Sequence, residues 1–455
     1  MIRLIPGSNR GRVHLAMRRA LAGFSLIEMM VAIVLGLLLS AGIVTLFAAT
    51  GKTNKVQDSL ARLQENGRYA ITRINDDMRM AAGQYCSNVS SLGWTSSANG
   101  PQYPGISIIA NVATVSTGTG GAFPDSGGTA GVPPAGWTAG TTFPIGPTTL
   151  IRGYDCADGG ACTPPVPTGA APNGFPATGV TNGTRVRGAD VLTIRYQNGT
   201  GWPFTIDAAT PPNLTLQPTV IGGNTVDDPV NFTSGDRALL LTCGGGQVLG
   251  VNAAGNVLTP AGLQDTSKYK PNPTNAGYDV RVFNFSKDFV TVSYYLAYKT
   301  DPAVAGRVIP SLYRRVNGAA TADEIVQGVE RLDFIYGVQY LDGTLHYLTA
   351  DQFAANSTVA NCTPPPADLG LGVGAVEPNC LWRSVRSIEA HLLLDTVNNV
   401  DLSLSDMAYR WTARGNNALQ LPPDDQNAAM PNGMRAGRMM RREFISLIAA
   451  RNGNH

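Results

Sequence analysis

The chain has 455 residues, enough for one large or two modest domains, and only 15% are charged, against about 25% in typical globular domains. Its 52 Gly and 30 Pro point to a loop-rich, mainly β body, while a 43% hydrophobic content excludes a disordered chain. The formal charge of +2 is unevenly placed. Residues 1–23 hold five arginines (Arg3, Arg10, Arg12, Arg18, Arg19) and no acid, leaving 29 basic against 32 acidic residues, a balance that excludes nucleic-acid binding by the body on electrostatic grounds.

Residues 1–23 form a basic leader. An ordinary secretory signal places its apolar region before the cleavage site. Here the small residue Gly23 precedes the apolar run, so cleavage there keeps that run on the mature chain. From Met29 to Gly51 the sequence is free of charge over 23 residues, about 34 Å as a helix and enough to cross a bilayer core of about 30 Å. Glu28 stands at the start of this span, where a carboxylate costs about 2.5–3.5 kcal/mol and marks function. The basic leader stays cytoplasmic by the positive-inside rule, which places everything after the span across the membrane.

The helix is expected to continue. Val56, Leu60, Leu63, Ala70, Ile71, Ile74 and Met78 recur at spacings of mostly three and four, with Gly67 in register, while Lys55, Asp58, Arg62, Glu65, Arg73 and Asp76 form the polar face. Gly83 is the stop. The spacing thus predicts one helix over 24–83, apolar all round over 24–51 and amphipathic over 52–83, its second half packed on a sheet.

Residues 84–185 are rich in Gly, Pro, Ser, Thr and Ala and read as long loops with scattered short strands; 93–185 has the composition of an insertion. Strand-like runs follow at 190–196, 237–243, 280–285, 290–298, 311–316, 328–340 and 387–394, with turn signals such as Asp342-Gly343 between them. No βαβ alternation occurs, so the sheet is expected to be mainly antiparallel. The run RREFISLIAARN, 441–452, fits helix or strand by pattern. Residues 84–455 form the head of an α+β fold.

Six cysteines, Cys86, Cys156, Cys162, Cys243, Cys362 and Cys380, all lie beyond the span. An even number in an exported head favours disulfides. Proximity in sequence favours Cys156 with Cys162 and Cys362 with Cys380, leaving Cys86 with Cys243, among 15 pairings that six cysteines allow. No CxxC, Walker A, GxGxxG or HExxH motif occurs, so neither metal nor cofactor is expected. PDSGG, with Ser126, has only His14 upstream and reads as a Gly-rich turn rather than a nucleophile loop. Asp155 with Asp158 and Asp227 with Asp228 fit no EF-hand loop and read as loop acids. His391 sits on a strand and reads as a packed or edge histidine.

GFSLIE, residues 23–28, followed by an apolar run and preceded by a basic leader, resembles the class III signal of type IV prepilins and type II secretion pseudopilins. The resemblance implies that a membrane aspartyl peptidase cuts after Gly23 and methylates the amine of Phe24. It also implies that Glu28 docks the subunit in a filament by pairing with the amine of a neighbour's first residue. The later segments RMAAGQYC, DVLTIRY, LYRR, IVQGVERLDFIYGVQYLDG, WRSVRSIEAHLLLDT and RREFISLIAARN resemble, in order, PilW-like minor pilins, themselves related to pseudopilin J. This implies a pilin-like fold, a strand at 441–452 and a filament-core role for residues 24–51. The implied partners are other minor pilins, the major pilin, the prepilin peptidase and a tip adhesin. The chain would sit in the inner membrane with a periplasmic head before assembly, then at the pilus tip on the cell surface. Thr45 stands where many major pilins carry a helix-kinking proline, which points away from a major-pilin role. The competing assignments are a secretion pseudopilin and a membrane-anchored enzyme or binding protein; the latter requires a His, Asp or Ser constellation that the sequence lacks.

Overall fold

The computed structural model describes residues 24–83, 108–111, 123–126, 142–144, 147–207, 212–221, 224–227, 232–242, 245–261, 280–340, 343–355, 379–400, 402–403, 405–413, 415, 418–421 and 437–450. Helix α1 spans Leu26–Met80, and the chain divides between Gln57 and Asp58 into two compact units.

In the second unit, the periodic residues Leu63, Gly67, Ala70, Ile74 and Met78 of α1 are buried. Leu63, Ala70, Ile74 and Met78 enter one hydrophobic cluster with Leu192 and Ile194, Tyr294 and Leu296, Leu312, Leu332 and Phe334, and Ala390 and Leu392. Two antiparallel sheets supply these partners. One has six strands in the order Asp323–Gln327, Val308–Val316, Phe289–Thr300, Val191–Gln197, Ile151–Cys156, Cys162–Thr163. The other has four, in the order Leu345–Leu348, Val329–Gln339, Val385–Asp395, Arg441–Ala449. The segment of ambiguous pattern is therefore a strand, in register with Val385–Asp395 from Ser387 opposite Ala449 to Asp395 opposite Arg441.

Asp190 ties the two sheets together. Its carboxylate accepts the N–H of Cys156 at 2.8 Å and of Phe334 at 3.0 Å, and its own N–H donates to the Leu332 carbonyl at 2.7 Å. Burial, with the nearby charges of Asp333 and Asp155, pushes this carboxyl well above the usual range. A close approach also fixes Gly153, where a Cβ would lie 2.0 Å from the Tyr336 hydroxyl. One of the short strands expected among the loops of residues 84–185 is Ile151–Cys156, which enters the six-stranded sheet with Ile151 and Tyr154 buried. The strand is short and interrupted by Gly153, so its pattern was weak.

A separate apolar cluster, including Trp202, Phe204, Leu214, Leu240, Leu249, Leu258 and Val282, fills a further sheet. Its order is Arg281–Asn284, Arg237–Thr242, Gly245–Ala254, Val257–Ala261, Leu214–Leu216, Phe204–Ile206, with Ile108–Asn111 and Thr142–Pro144 off that path. Ile108–Asn111 runs parallel to Gly245–Ala254; the other named strand pairs described are antiparallel, as the absence of βαβ units led one to expect.

Gly67 marks the closest contact of helix and strand: a Cβ there would lie 2.2–2.4 Å from ring atoms of Phe444. Gly67→Val is expected to cost about 1–3 kcal/mol by overpacking, read as a lowered urea midpoint followed by tryptophan fluorescence. Adding Phe444→Ala should recover part of the loss; independent, additive losses would place the strain elsewhere.

Candidate assembly surface on the N-terminal helix

The first turn of α1 is capped from within. The Glu28 N–H donates to Ser25 Oγ at 3.1 Å and the Met29 N–H to the Ser25 carbonyl at 3.1 Å. Ser25 is therefore the N-cap and Glu28 the third helical residue, the spacing of an S-x-x-E capping box. The carboxylate sits at the positive end of the helix dipole. Glu28 is exposed, and no ion pair engages it among the described residues.

Behind it the helix exposes apolar side chains on every side. Phe24 is 84% exposed, and Leu37, Leu38 and Leu39, three successive residues pointing in different directions, are each 65–68% exposed. A helix that is apolar all round requires a bilayer or other apolar helices around it. By length and composition the helix can cross a membrane, and none of its most apolar window is buried in the protein. Thr45 keeps the backbone regular, its Oγ1 donating to the Gly42 carbonyl at 2.8 Å.

The other sequence candidates are placed as follows. Gly23 lies outside the described residues, and Phe24 immediately precedes the cap. Cys156 and Cys162 form a disulfide between strands paired at those positions. Cys86, Cys243 and Cys362 lie outside the described residues; Cys380 opens the short 3-10 turn Cys380–Ser384. Ser126 is buried and donates to the Phe123 carbonyl at 2.6 Å. Asp158 pairs with Arg331 at 2.8 Å. His391 is buried, with Nδ1 2.9 Å from Glu443 and Nε2 3.1 Å from Glu389. Among the described residues no group of His, Cys, Asp and Glu side chains is arranged to hold a metal.

Sequence reasoning missed the side chain that anchors the helix to the head. Asp77, on the buried face of α1, accepts Arg314 Nε at 2.6 Å and Nη2 at 2.9 Å, and also the Tyr294 hydroxyl. That hydroxyl stays protonated, because burial and the Asp77 charge push its pKa up. The only hint in the sequence is an acid at a helix position in register with the apolar face.

Residues 18–44, which hold the cap and the start of the apolar run, match the family model described as the prokaryotic N-terminal methylation motif. That motif, on a capped and membrane-competent helix, supports a type IV pilin. Residues 293–452 match the model for type IV pilus-assembly protein W, and the two matches together support a PilW-like minor pilin. That match covers the four-stranded sheet and three strands of the six-stranded sheet, Phe289–Thr300 in most of its length, Val308–Val316 and Asp323–Gln327. No curated protein and no solved structure matches the chain.

Proposed function

We propose that this minor pilin acts in the initiation of pilus assembly and within the tip complex. The observation that carries this proposal is the fully exposed apolar helix that begins at a capped, unpaired Glu28. In the membrane, prepilin peptidase cuts between Gly23 and Phe24 and methylates the Phe24 amine. The chain waits in the inner membrane with its head in the periplasm, then leaves the bilayer for the pilus tip, where helices of neighbouring pilins cover its apolar surface. Burial of that surface supplies roughly 25 cal/mol per Å² before the entropic costs of association. Glu28 sets the register, because it meets the amine of an adjacent subunit's first residue. A buried pair of this kind adds little net stability, but one member left unpaired is disfavoured by about 3–5 kcal/mol. The head then stands ready to contact other minor pilins and a tip adhesin.

Mass spectrometry of sheared surface pili tests this. The expected result is a peptide beginning at N-methylated Phe24 together with head peptides. Glu28→Val is expected to lower incorporation at least about tenfold, the factor that 1.4 kcal/mol represents, and Gly23→Ala to leave residues 1–23 attached. Processed protein confined to the membrane fraction would instead support a secretion pseudopilin, and normal pilus counts in both variants would overturn the docking role.

A further inference from the structure

The face of the six-stranded sheet turned away from α1 carries an apolar cluster that includes Val191, Tyr295 and Ala297, with a polar stretch beside it. Register places Arg152 opposite Thr193, Thr193 opposite Ser293 and Ser293 opposite Arg315; Tyr154 and Arg195, two residues along their strands, share that face. Three arginines thus lie together, and Asp125, from the segment 123–126, is the carboxylate that meets them. Its oxygens are already committed. Arg315 Nε donates to it at 3.1 Å and Arg315 Nη2 donates as well, and Ser293 Oγ donates at 2.8 Å.

Neither of the other two guanidinium groups hydrogen-bonds Asp125 among the described residues; its charge still acts on Arg195 from a longer distance, and Arg152 is hydrogen-bonded to Tyr154. Arg195 is 1% exposed and donates to the Thr149 carbonyl at 2.7 Å, to the Pro124 carbonyl and to Thr291 Oγ1 at 3.1 Å. These acceptors are neutral and use three of its five N–H donors. Arg152, half-buried, lies 5.6 Å from the Tyr154 ring centre and 5.9 Å from that of Trp382, and among the described residues no carboxylate pairs with it. Burial lowers the pKa of both, that of Arg195 to about 10, so both remain charged at neutral pH.

Between them lies a cavity of about 200 Å³, lined by Arg152, Arg195, Tyr154, Ser126, Thr148 and Asn379, together with Thr193. No lining group is an acid. Arg152 faces this cavity desolvated and without a carboxylate, which is costly, and that cost falls when an oxyanion enters. The volume is below the roughly 300 Å³ of drug-sized sites, so the ligand is small. Four hydroxyl side chains, Ser126, Thr148, Thr193 and Tyr154, and the Asn379 amide around the arginines suit a ligand that carries hydroxyl groups of its own. We propose that this cavity binds a small hydroxylated carboxylate, the size of a single uronic-acid ring, with Arg152 holding the carboxylate and the hydroxyl and amide side chains holding the ring hydroxyls. The site belongs to the head and is independent of the Glu28 docking mechanism.

The test is isothermal titration of the full chain in non-ionic micelles with sodium glucuronate, glucose and inorganic sulfate at matched ionic strength. The expected result is binding of glucuronate, with glucose at least tenfold weaker and sulfate weaker than glucuronate. Arg152→Gln should weaken glucuronate at least tenfold while its unliganded melting temperature and its incorporation into pili stay those of the wild type. Glucuronate should also slow modification of wild-type Arg152 by phenylglyoxal, read by peptide mass spectrometry, a result that does not depend on the variant folding. A glucuronide disaccharide that binds as tightly as the free acid would identify a glycan as the source, and its exclusion would identify a free acid; either supports the site. Absence of glucuronate binding, equal binding of glucose, sulfate binding in its place, or no protection of Arg152 would overturn it.

Discussion

Asp77→Ala is expected to lower the folding stability of the head by about 3–5 kcal/mol, the range found when one member of a buried ion pair is removed. Arg314 keeps its charge, only 10% of its side chain is exposed, and both of its hydrogen bonds to Asp77 are lost. The Tyr294 hydroxyl loses an acceptor in the same step and keeps the Arg73 carbonyl, at 3.1 Å. Urea unfolding of the full chain in micelles, followed by tryptophan fluorescence, reads the loss. Limited proteolysis should show earlier cutting within residues 58–80, because this pair joins the helix to strand Val308–Val316. Asp77→Asn, which keeps the shape and some of the hydrogen bonds, should cost less. A loss under about 1 kcal/mol for Asp77→Ala would mean that the pair behaves like a solvent-screened surface bridge.

Arg441→Ala is expected to cost a similar 3–5 kcal/mol, with a loss that depends on pH. Glu330 occupies an irregularity in the pairing of strand Val329–Gln339, and neither it nor Arg441 has an exposed side chain. Arg441 Nε and Nη2 donate to the two Glu330 oxygens at 2.6 and 3.1 Å. Burial, with the Asp395 charge, pushes the Glu330 carboxyl up to about 7 even with Arg441 in place. A carboxyl raised on folding contributes stability that is full below its unfolded value near 4.5 and is lost as pH rises through about 7. Without Arg441 the window extends upward, so the variant's deficit should be greater at pH 8 than at pH 5. Parallel urea series at the two pH values check the sign; a deficit independent of pH would show that lost packing over Tyr409, 5.8 Å from the guanidinium, dominates instead.

Much of this was legible in the sequence, for physical reasons that can be traced residue by residue. The spacing of Leu63, Gly67, Ala70, Ile74 and Met78 gave the helical face, and α1 ends at Met80, three residues before the expected stop at Gly83. Runs such as DVLTIRY and VTVSYYLAY became strands Val191–Gln197 and Phe289–Thr300. The cap was also legible, since Ser25 and Glu28 have the capping-box spacing, though the glutamate drew attention for its charge alone. The ion pairs were not legible. Asp77 and Arg314 are 237 residues apart and Glu330 and Arg441 are 111 apart, and no local pattern marks partners that only the fold brings together. Alternation in DVLTIRY does put Thr193 and Arg195 on one face, yet nothing in it says that residues 123–126 bring Asp125 to that face and leave Arg152 without a carboxylate. The sheet built around Trp202 and Leu240 went largely unread because strands such as Phe204–Ile206 and Leu214–Leu216 are three residues long, too short for a period to be counted.

The seat of strand Arg441–Ala449 on the helix has a consequence for the order of events during synthesis. Ser446 Oγ donates to Asn75 Oδ1 at 3.0 Å across 371 residues of sequence, close to where Phe444 covers Gly67. Contacts of such long range are slow to form, because loop closure must precede them. At a synthesis rate of about 5–20 residues per second, this part of the helix waits on the order of 20–75 s for its cover. A chain interrupted anywhere before residue 441 never acquires it. The contact therefore makes closure of this part of the helix the last event of synthesis: the helical face around Gly67 and Asn75 stays uncovered until the chain has been read through to this strand.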